Sequence, residues 1–256
     1  MKLYGKTALV TGASRGIGRA IALELAQSGL KRLIIVARTQ EHLEALAQEI
    51  AHRNADISVV VLPLDLTQPI CVNTAIAQTW RDYRAIHLLI NCAGVAYQTP
   101  FLTAKLPDVY QEISLNLIGL YTMTRCVARR MVSQEEGTIV NVSSLMGKVA
   151  APTLSTYSAT KFAILGFSQA LRHELAPRQI KVVTLLPTLT DTDMVRGFKR
   201  FRWVRAMTPQ QVAKALIQGL EHDHNEILVG WQSHLVIWCQ HFAPWLLERI
   251  LQLSMP

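Results

Sequence analysis

Tyr157-Ser158-Ala159-Thr160-Lys161 holds the pair of side chains in this sequence with the clearest chemical potential. On a helix, residues four apart share a face, so the phenol and the amine point into one space. An unperturbed phenol has a pKa of about 10, and a cation about 4–6 Å away favours phenolate by about one to three pH units. A phenol shifted in that way can trade a proton with an alcohol or carbonyl oxygen near neutral pH. Tyr-x-x-x-Lys also fits an ordinary amphipathic helix, so its meaning depends on the elements that place it.

A second chemical signature lies near the N-terminus. The apolar run Thr7-Ala8-Leu9-Val10 meets the turn Thr11-Gly12-Ala13-Ser14-Arg15-Gly16-Ile17-Gly18, and a helical pattern follows through Ile21, Leu23, Leu25 and Ala26. Strand, glycine turn and helix in that order present free N–H groups and the positive end of a helix dipole to a phosphate. The spacing is Gly-x-x-x-Gly-x-Gly rather than the commoner Gly-x-Gly-x-x-Gly, and a turn without any ligand is the alternative. Leu33-Ile34-Ile35-Val36-Ala37 then reads as a strand buried on both faces, ending at Arg38. In dinucleotide folds an acidic residue about 20 positions beyond the turn holds a ribose 2′-hydroxyl, whereas an arginine accommodates a 2′-phosphate. Arg38 stands at that place, and Arg15 adds a second cation, so the pair favours NADP(H) over NAD(H).

The elements that position these groups alternate. Residues 41–52 read as helix, 57–62 as strand, 69–80 as helix and 86–90 as strand, followed by a helical stretch over 107–132 and a strand over 137–142. Such alternation predicts one Rossmann-type doubly wound α/β domain, a seven-stranded parallel sheet with helices on both faces. Ligands of such sheets gather at the carboxyl ends of the strands. Asp65, Leu66, Asn91, Ala93 and Gly94 fall there, as do Ser143 and Ser144. Asn116 is polar among Leu115, Leu117, Ile118 and Leu120. It reads either as a satisfied core amide or as a local kink that holds a water in a proton path.

Bulk properties narrow the function classes. The 256 residues fit one large domain, with residues 1–193 as cofactor-binding and catalytic core and 194–256 as the variable part. Lys and Arg exceed Asp and Glu by 26 to 18, yet no helix-turn-helix, zinc or stacking signature accompanies the charge, which argues against nucleic acid. Cys71, Cys92, Cys126 and Cys239 lack paired spacing and read as free thiols, and no cluster suggests a metal. Without an apolar stretch long enough to span a bilayer or a signal peptide, a cytoplasmic location is expected.

Taken together, the chain resembles the classical short-chain dehydrogenases/reductases from Lys6 to Gly230. The resemblance rests on Thr11-Gly12-x-x-x-Gly16-Ile17-Gly18, Asp65, Asn91-Cys92-Ala93-Gly94, Asn116, Ser144, Tyr157-x-x-x-Lys161, Pro187 and Thr192, in that order. It implies that Ser144 hydrogen-bonds the substrate oxygen and that Tyr157 is acid in reduction and base in oxidation. Lys161 would lower the phenol's pKa and bind the nicotinamide ribose, while Asn116 would hold a water linking Lys161 to solvent. Two places depart from the family pattern. Cys92 replaces the usual second asparagine, and Thr188 follows Pro187 where glycine is usual; threonine cannot take positive φ cheaply, so that loop is expected to differ in shape. The resemblance also implies a dimer or tetramer.

Substrate choice is expected from the variable end. Residues 196–205 combine cations with aromatics, which suits a solvated loop, a lid for an anionic or phosphopantetheine-bearing substrate, or a patch on acidic lipid. The apolar tail 231–256 is expected to be buried against the core or a second subunit. A peripheral membrane contact or a hydrophobic substrate tunnel is the alternative. The leading expectation is an NADP(H)-dependent carbonyl reductase for a lipophilic ketone, aldehyde or steroid-like alcohol. The alternatives are a 3-oxoacyl carrier-protein or 3-oxoacyl-CoA reductase and a non-catalytic NADP(H)-sensing protein. Glu135-Glu136 stand where carrier-protein reductases place a basic docking residue, although Arg129, Arg130 and Arg178 fit such docking.

Overall fold

The computed structural model describes residues 2–199 and 205–253. Its strands are β1 (Thr7–Thr11), β2 (Arg32–Ala37), β3 (Ser58–Pro63), β4 (Leu88–Asn91), β5 (Gly137–Val142), β6 (Ile180–Leu186) and β7 (Glu226–Leu228). They form one parallel sheet in the order β3-β2-β1-β4-β5-β6-β7. Alternate residues of a strand face opposite sides, and here both sides are covered, which is why the strands read as unbroken apolar runs. Ala8, Val10, Leu33 and Ile35 join a core with Ile21, Leu25, Leu43 and Leu216. Leu9, Ile34 and Val36 join a second core with Val72, Ile76, Met123 and Val127. Helices α1 (Gly16–Leu25), α2 (Gln40–Arg53) and α7 (Pro209–Glu221) thus cover one face, and α3 (Pro69–Tyr83) and α5 (Leu120–Gln134) the other.

Growth of the sheet reverses at β1, which pairs with β2 on one side and β4 on the other. That reversal opens a crevice outside the carboxyl ends of β1 and β4. The sequence places its glycine turn after the first and Cys92-Ala93-Gly94 after the second.

The helix expected over 107–132 is broken in the structure. Helix α4 (Leu106–Ile113) passes into a π-helical turn over Ser114–Gly119 before α5 begins. Asn116, in the middle of that turn, is fully buried and turns its amide onto the chain after β4. Its Oδ1 accepts the Val95 N–H and its Nδ2 donates to the Val95 carbonyl, both at 2.9 Å. Such single π-turns are frequent at functional sites.

Helix α6 (Ser155–Leu175) carries the Tyr157–Lys161 pair and is tied to the sheet by polar contacts. Asn141 on β5 donates to Ser168 Oγ at 2.9 Å, and Arg172 Nε donates to the Val182 carbonyl at 2.9 Å. Thr208 and Pro209 start α7 as their types predict. Thr208 Oγ1 accepts the Gln211 N–H at 3.2 Å, and Gln211 Oε1 accepts the Thr208 N–H at 2.9 Å.

Within one chain the tail is packed only in part. It folds into α8 (Trp231–Phe242) and α9 (Pro244–Leu253), anchored where Cys239 and Leu247 pack against Val149. Most of its large apolar side chains are not buried: Trp231 is 73% exposed and Trp238 59%. Trp231, Leu235, Trp238 and Leu246 line the cleft described below, as do the packed Cys239 and Leu247, whereas Phe242 and Trp245 are exposed away from it. Of the basic, aromatic segment 196–205, residues 200–204 lie outside the described residues.

Candidate active site

A cleft of about 840 Å³ lies along the carboxyl ends of the central strands. Its floor is the glycine turn. Gly12 has φ +69°, and a Cβ there would stand 2.8 Å from Ala93 Cα; one on Gly18 would fall on the Gly12 carbonyl oxygen. Only glycine lets α1 and the chain after β4 close this tightly on the turn. Arg15, the residue before α1, makes no side-chain cap, so the N–H groups of the helix's first turn are not claimed by that side chain. Ser14, Arg15, Gly16, Ile17, Arg38, Leu66, Ala93, Gly94 and Pro187 all line the cleft, and Thr192 joins them with its methyl 3.2 Å from where a Cβ on Gly16 would lie. Arg15 and Arg38 are exposed and carry no ion pair among the described residues.

Three expected residues do not line the cleft. Asp65 turns its carboxylate back on its own loop, where Oδ1 accepts the Thr67 N–H at 2.9 Å and the Thr67 hydroxyl at 2.8 Å. Its neighbours Leu64 and Leu66 reach the cleft instead. Asn91 points into the core, with Nδ2 donating to Thr124 Oγ1 at 2.8 Å and Asn141 Oδ1 at 2.9 Å. A polar side chain on a central strand has no water and must pair sideways. Asn116 holds Val95 from behind the cleft and is close to Lys161: a Cβ on Gly94 would meet Asn116 Oδ1 at 3.2 Å and Lys161 Nζ at 3.9 Å.

Ser144, Tyr157 and Lys161 converge on the cleft wall beside Gly94 and Pro187. Ser144 Oγ accepts the Met146 N–H at 3.1 Å, which leaves its hydrogen to donate, and it lies near enough to the Tyr157 phenol to lower its pKa. Lys161 is 5% exposed, donates to the Val142 carbonyl at 3.0 Å and stands 5.5 Å from the centre of the Tyr157 ring. The electrostatics correct the expectation of an acidified phenol. Burial pushes Tyr157 up to about 12; the Ser144 hydroxyl opposes this, and Glu112 and Cys92 add to it. Burial likewise pushes the Lys161 amine down to about 8, against the pull of Cys92 and Glu112. The two groups share one water-poor site, and there exclusion of solvent sets the direction of both shifts.

The lining extends beyond the cofactor and catalytic residues expected from the sequence. His42, one turn into α2, borders the cleft near Arg38. Thr188 lines it with a buried hydroxyl that has no partner. Thr188 is not among the residues with positive φ, so the loop after β6 does take a shape that threonine tolerates. The outer wall is apolar: Val149, Leu154, Phe198, Leu235, Trp238 and Leu246. An unclaimed helix start, two unpaired guanidiniums and an orphan hydroxyl in one cleft fit a phosphorylated dinucleotide.

Known proteins are similar to this chain. Residues 6–203 match the family of the short chain dehydrogenases. The chain is 36% identical to the 3-oxoacyl-[acyl-carrier-protein] reductase FabG of Aquifex aeolicus over 194 residues, 76% of this chain and 77% of that protein. A short chain dehydrogenase of Burkholderia cenocepacia, solved in complex with NADP, superposes with a TM-score of 0.85 at 27% identity, covering 100% of both chains. The bulky-bulky ketone specific alcohol dehydrogenase of Comamonas testosteroni superposes at 0.77 with 28% identity, over 87% of this chain and 85% of that one. With the glycine turn, the Ser144, Tyr157 and Lys161 cluster and the seven-stranded sheet already in place, the chain belongs to the short-chain dehydrogenase family of oxidoreductases.

Proposed function

We propose that this protein is an NADP(H)-dependent carbonyl reductase for a lipophilic ketone, aldehyde or steroid-like secondary alcohol. The observation that carries the reading is one cleft with a proton-handling cluster on one wall and an apolar helix pair on the other. Preference for the phosphorylated cofactor is supported by Arg15 and Arg38, and by His42 at the same end. A nicotinamide bound in the cleft supplies or accepts the hydride.

The chain's own residues handle the proton. Tyr157, held neutral by burial, donates its proton to the carbonyl oxygen as negative charge develops there; an alkoxide is a far stronger base than a phenolate, so the transfer runs downhill even from a raised phenol. Ser144 donates a second hydrogen bond to the same oxygen and stabilises that charge. The Lys161 ammonium, fixed by the Val142 carbonyl, faces the phenolate left behind and favours it. In the oxidative direction Tyr157 must first lose its proton, which the raised pKa disfavours at neutral pH.

The acyl thioester reading is favoured by the resemblance to FabG. Against it, Glu136 at the opening of β5 is an acidic group paired with Lys6, where an acidic carrier protein needs cations. A homo-oligomer is supported by half-exposed Tyr121 on α5 and Phe162 on α6; a monomer by light scattering would overturn it. The test of function follows oxidation of NADPH by absorbance with a panel of carbonyls, beside Tyr157→Phe. Loss of the general acid is expected to lower kcat by about 10²–10⁴-fold, and unchanged turnover in the variant refutes the proposed chemistry.

A further inference from the structure

Glu112, in the last turn of α4, is a carboxyl that the chemistry above leaves unused. It is 2% exposed. Its Oε1 accepts the Tyr97 N–H at 2.9 Å, and four residues later Asn116 grips Val95. The two side chains thus hold alternate residues of the segment that carries the cleft wall from Gly94 onward. For that clamp alone an amide would serve as well as a carboxyl. Burying an ionisable group is costly, and here a carboxyl stands where an amide would make the same contact.

Two observations bear on that carboxyl. Inward, Glu112 lies one turn before Asn116, whose Oδ1 borders the same spot beside Gly94 as Lys161 Nζ, so a negative charge on Glu112 acts to raise the pKa of Tyr157 and of Lys161. Outward, Glu112 lines a separate cavity of about 20 Å³, room for one water molecule. That cavity also contains Thr153, whose hydroxyl is buried without a partner and whose backbone is left-handed at φ +63°. Lys105 and Asp108 complete its outer side, and Lys105 is exposed. The charged and titratable groups facing Glu112 are therefore Asp108 and Lys105 from its own helix end, Tyr97 from the segment after β4, and Tyr157 and Lys161 from α6. Burial raises the carboxyl to about 7; the Tyr97 hydrogen bond and Lys161 oppose the rise and Asp108 adds to it.

We propose that Glu112 is a positioning residue that acts through Lys161: by exchanging its proton with solvent through the cavity beside Thr153, it places or removes a negative charge that holds the ammonium of the active site. Ionisation of Glu112 keeps Lys161 protonated to higher pH, and protonation releases that hold. The inference rests on Tyr157 and Lys161 being the proton-handling pair.

Glu112→Gln keeps an acceptor for the Tyr97 N–H and loses only the charge. In carbonyl reduction by the full chain with NADPH, the alkaline limb of kcat is expected to move down by about one pH unit, about a tenfold loss on that limb. The KM for cofactor is expected to stay unchanged, and Glu112→Asp to restore the limb in part. In the wild-type resting protein, infrared spectra are expected to lose the band of one protonated carboxyl between about pH 6 and pH 8. That measurement stands even if Glu112→Gln fails to fold. A Gln variant whose profile superimposes on the wild type, or an infrared spectrum without that change, overturns the proposal. If Tyr157→Phe is inactive while the Glu112→Gln limb stays in place, only this inference fails. If Tyr157→Phe is fully active, the underlying chemistry fails with it.

Discussion

Lys161→Met separates what the active-site amine does for chemistry from what it costs the fold. The side chain is 5% exposed, and burial moves its amine from an ordinary 10.5 to about 8. Holding the ammonium form at pH 7 then costs the folded state about 3 kcal/mol. Methionine keeps the apolar stem but leaves the Val142 carbonyl without its donor, which offsets about 1–2 kcal/mol. A net gain of about 1–2 kcal/mol at pH 7 is expected, together with loss of turnover. The pH dependence fixes the sign. Because the folded pKa lies below the unfolded one, the unfolded chain binds more protons between about 8 and 10.5, and wild-type stability climbs through that window. The variant has no such climb, so its advantage is full below about 8 and is gone, or reversed, above 10.5. Urea unfolding of both proteins at neutral pH and at about pH 10 reads this directly, provided the m-values agree. A variant that is less stable at both pH values by the same amount refutes the picture of a charged amine held against its solvation preference.

Two further perturbations address the ends of the cleft. Arg38→Asp removes an exposed cation and adds a like charge opposite a 2′-phosphate; a charge-assisted contact of about 1.5–3 kcal/mol predicts a rise in the NADPH KM of about 10–150-fold. NADH is expected to be little affected, the NADPH effect to shrink as salt is raised, and equal loss of both cofactors counts against the contact. Trp238→Ala, at a side chain 59% exposed, is expected to leave stability within about 0.5 kcal/mol. It is also expected to raise the KM for bulky apolar ketones by about tenfold through lost apolar burial, with small ketones unchanged; equal effects on large and small ketones would show that the tail does not meet the substrate.

What the sequence could and could not reveal divides by the range of the forces involved. The Tyr157–Lys161 spacing, the glycine turn and the Thr208-Pro209 helix start are local patterns whose geometry follows from helix and turn periodicities, and each appears in the fold where its residues predict. Arg38 needs only a count along the chain and the knowledge that β2 ends there. Asp65 and Asn91 were placed at the correct strand ends, but the direction of a side chain at a strand end depends on partners such as Thr67 and Thr124, which periodicity does not reveal. The tail shows the same limit on a larger scale. Its apolar residues identify a surface that must meet something, and only the fold, with Cys239 and Leu247 packed on Val149, shows that this surface borders the cleft.

The pKa of Tyr157 is the least local property of all. A lysine four residues away argues for a more acidic phenol, yet the same helix face that brings the two together also buries both, and burial shifts each toward its neutral form. The site is therefore arranged less around a phenolate awaiting a substrate than around a neutral acid and a strained ammonium. On the proposed chemistry a neutral acid suits the step in which the proton is given away, and Lys161, brought down to about 8, is the member of the pair whose charge changes nearer to neutral pH.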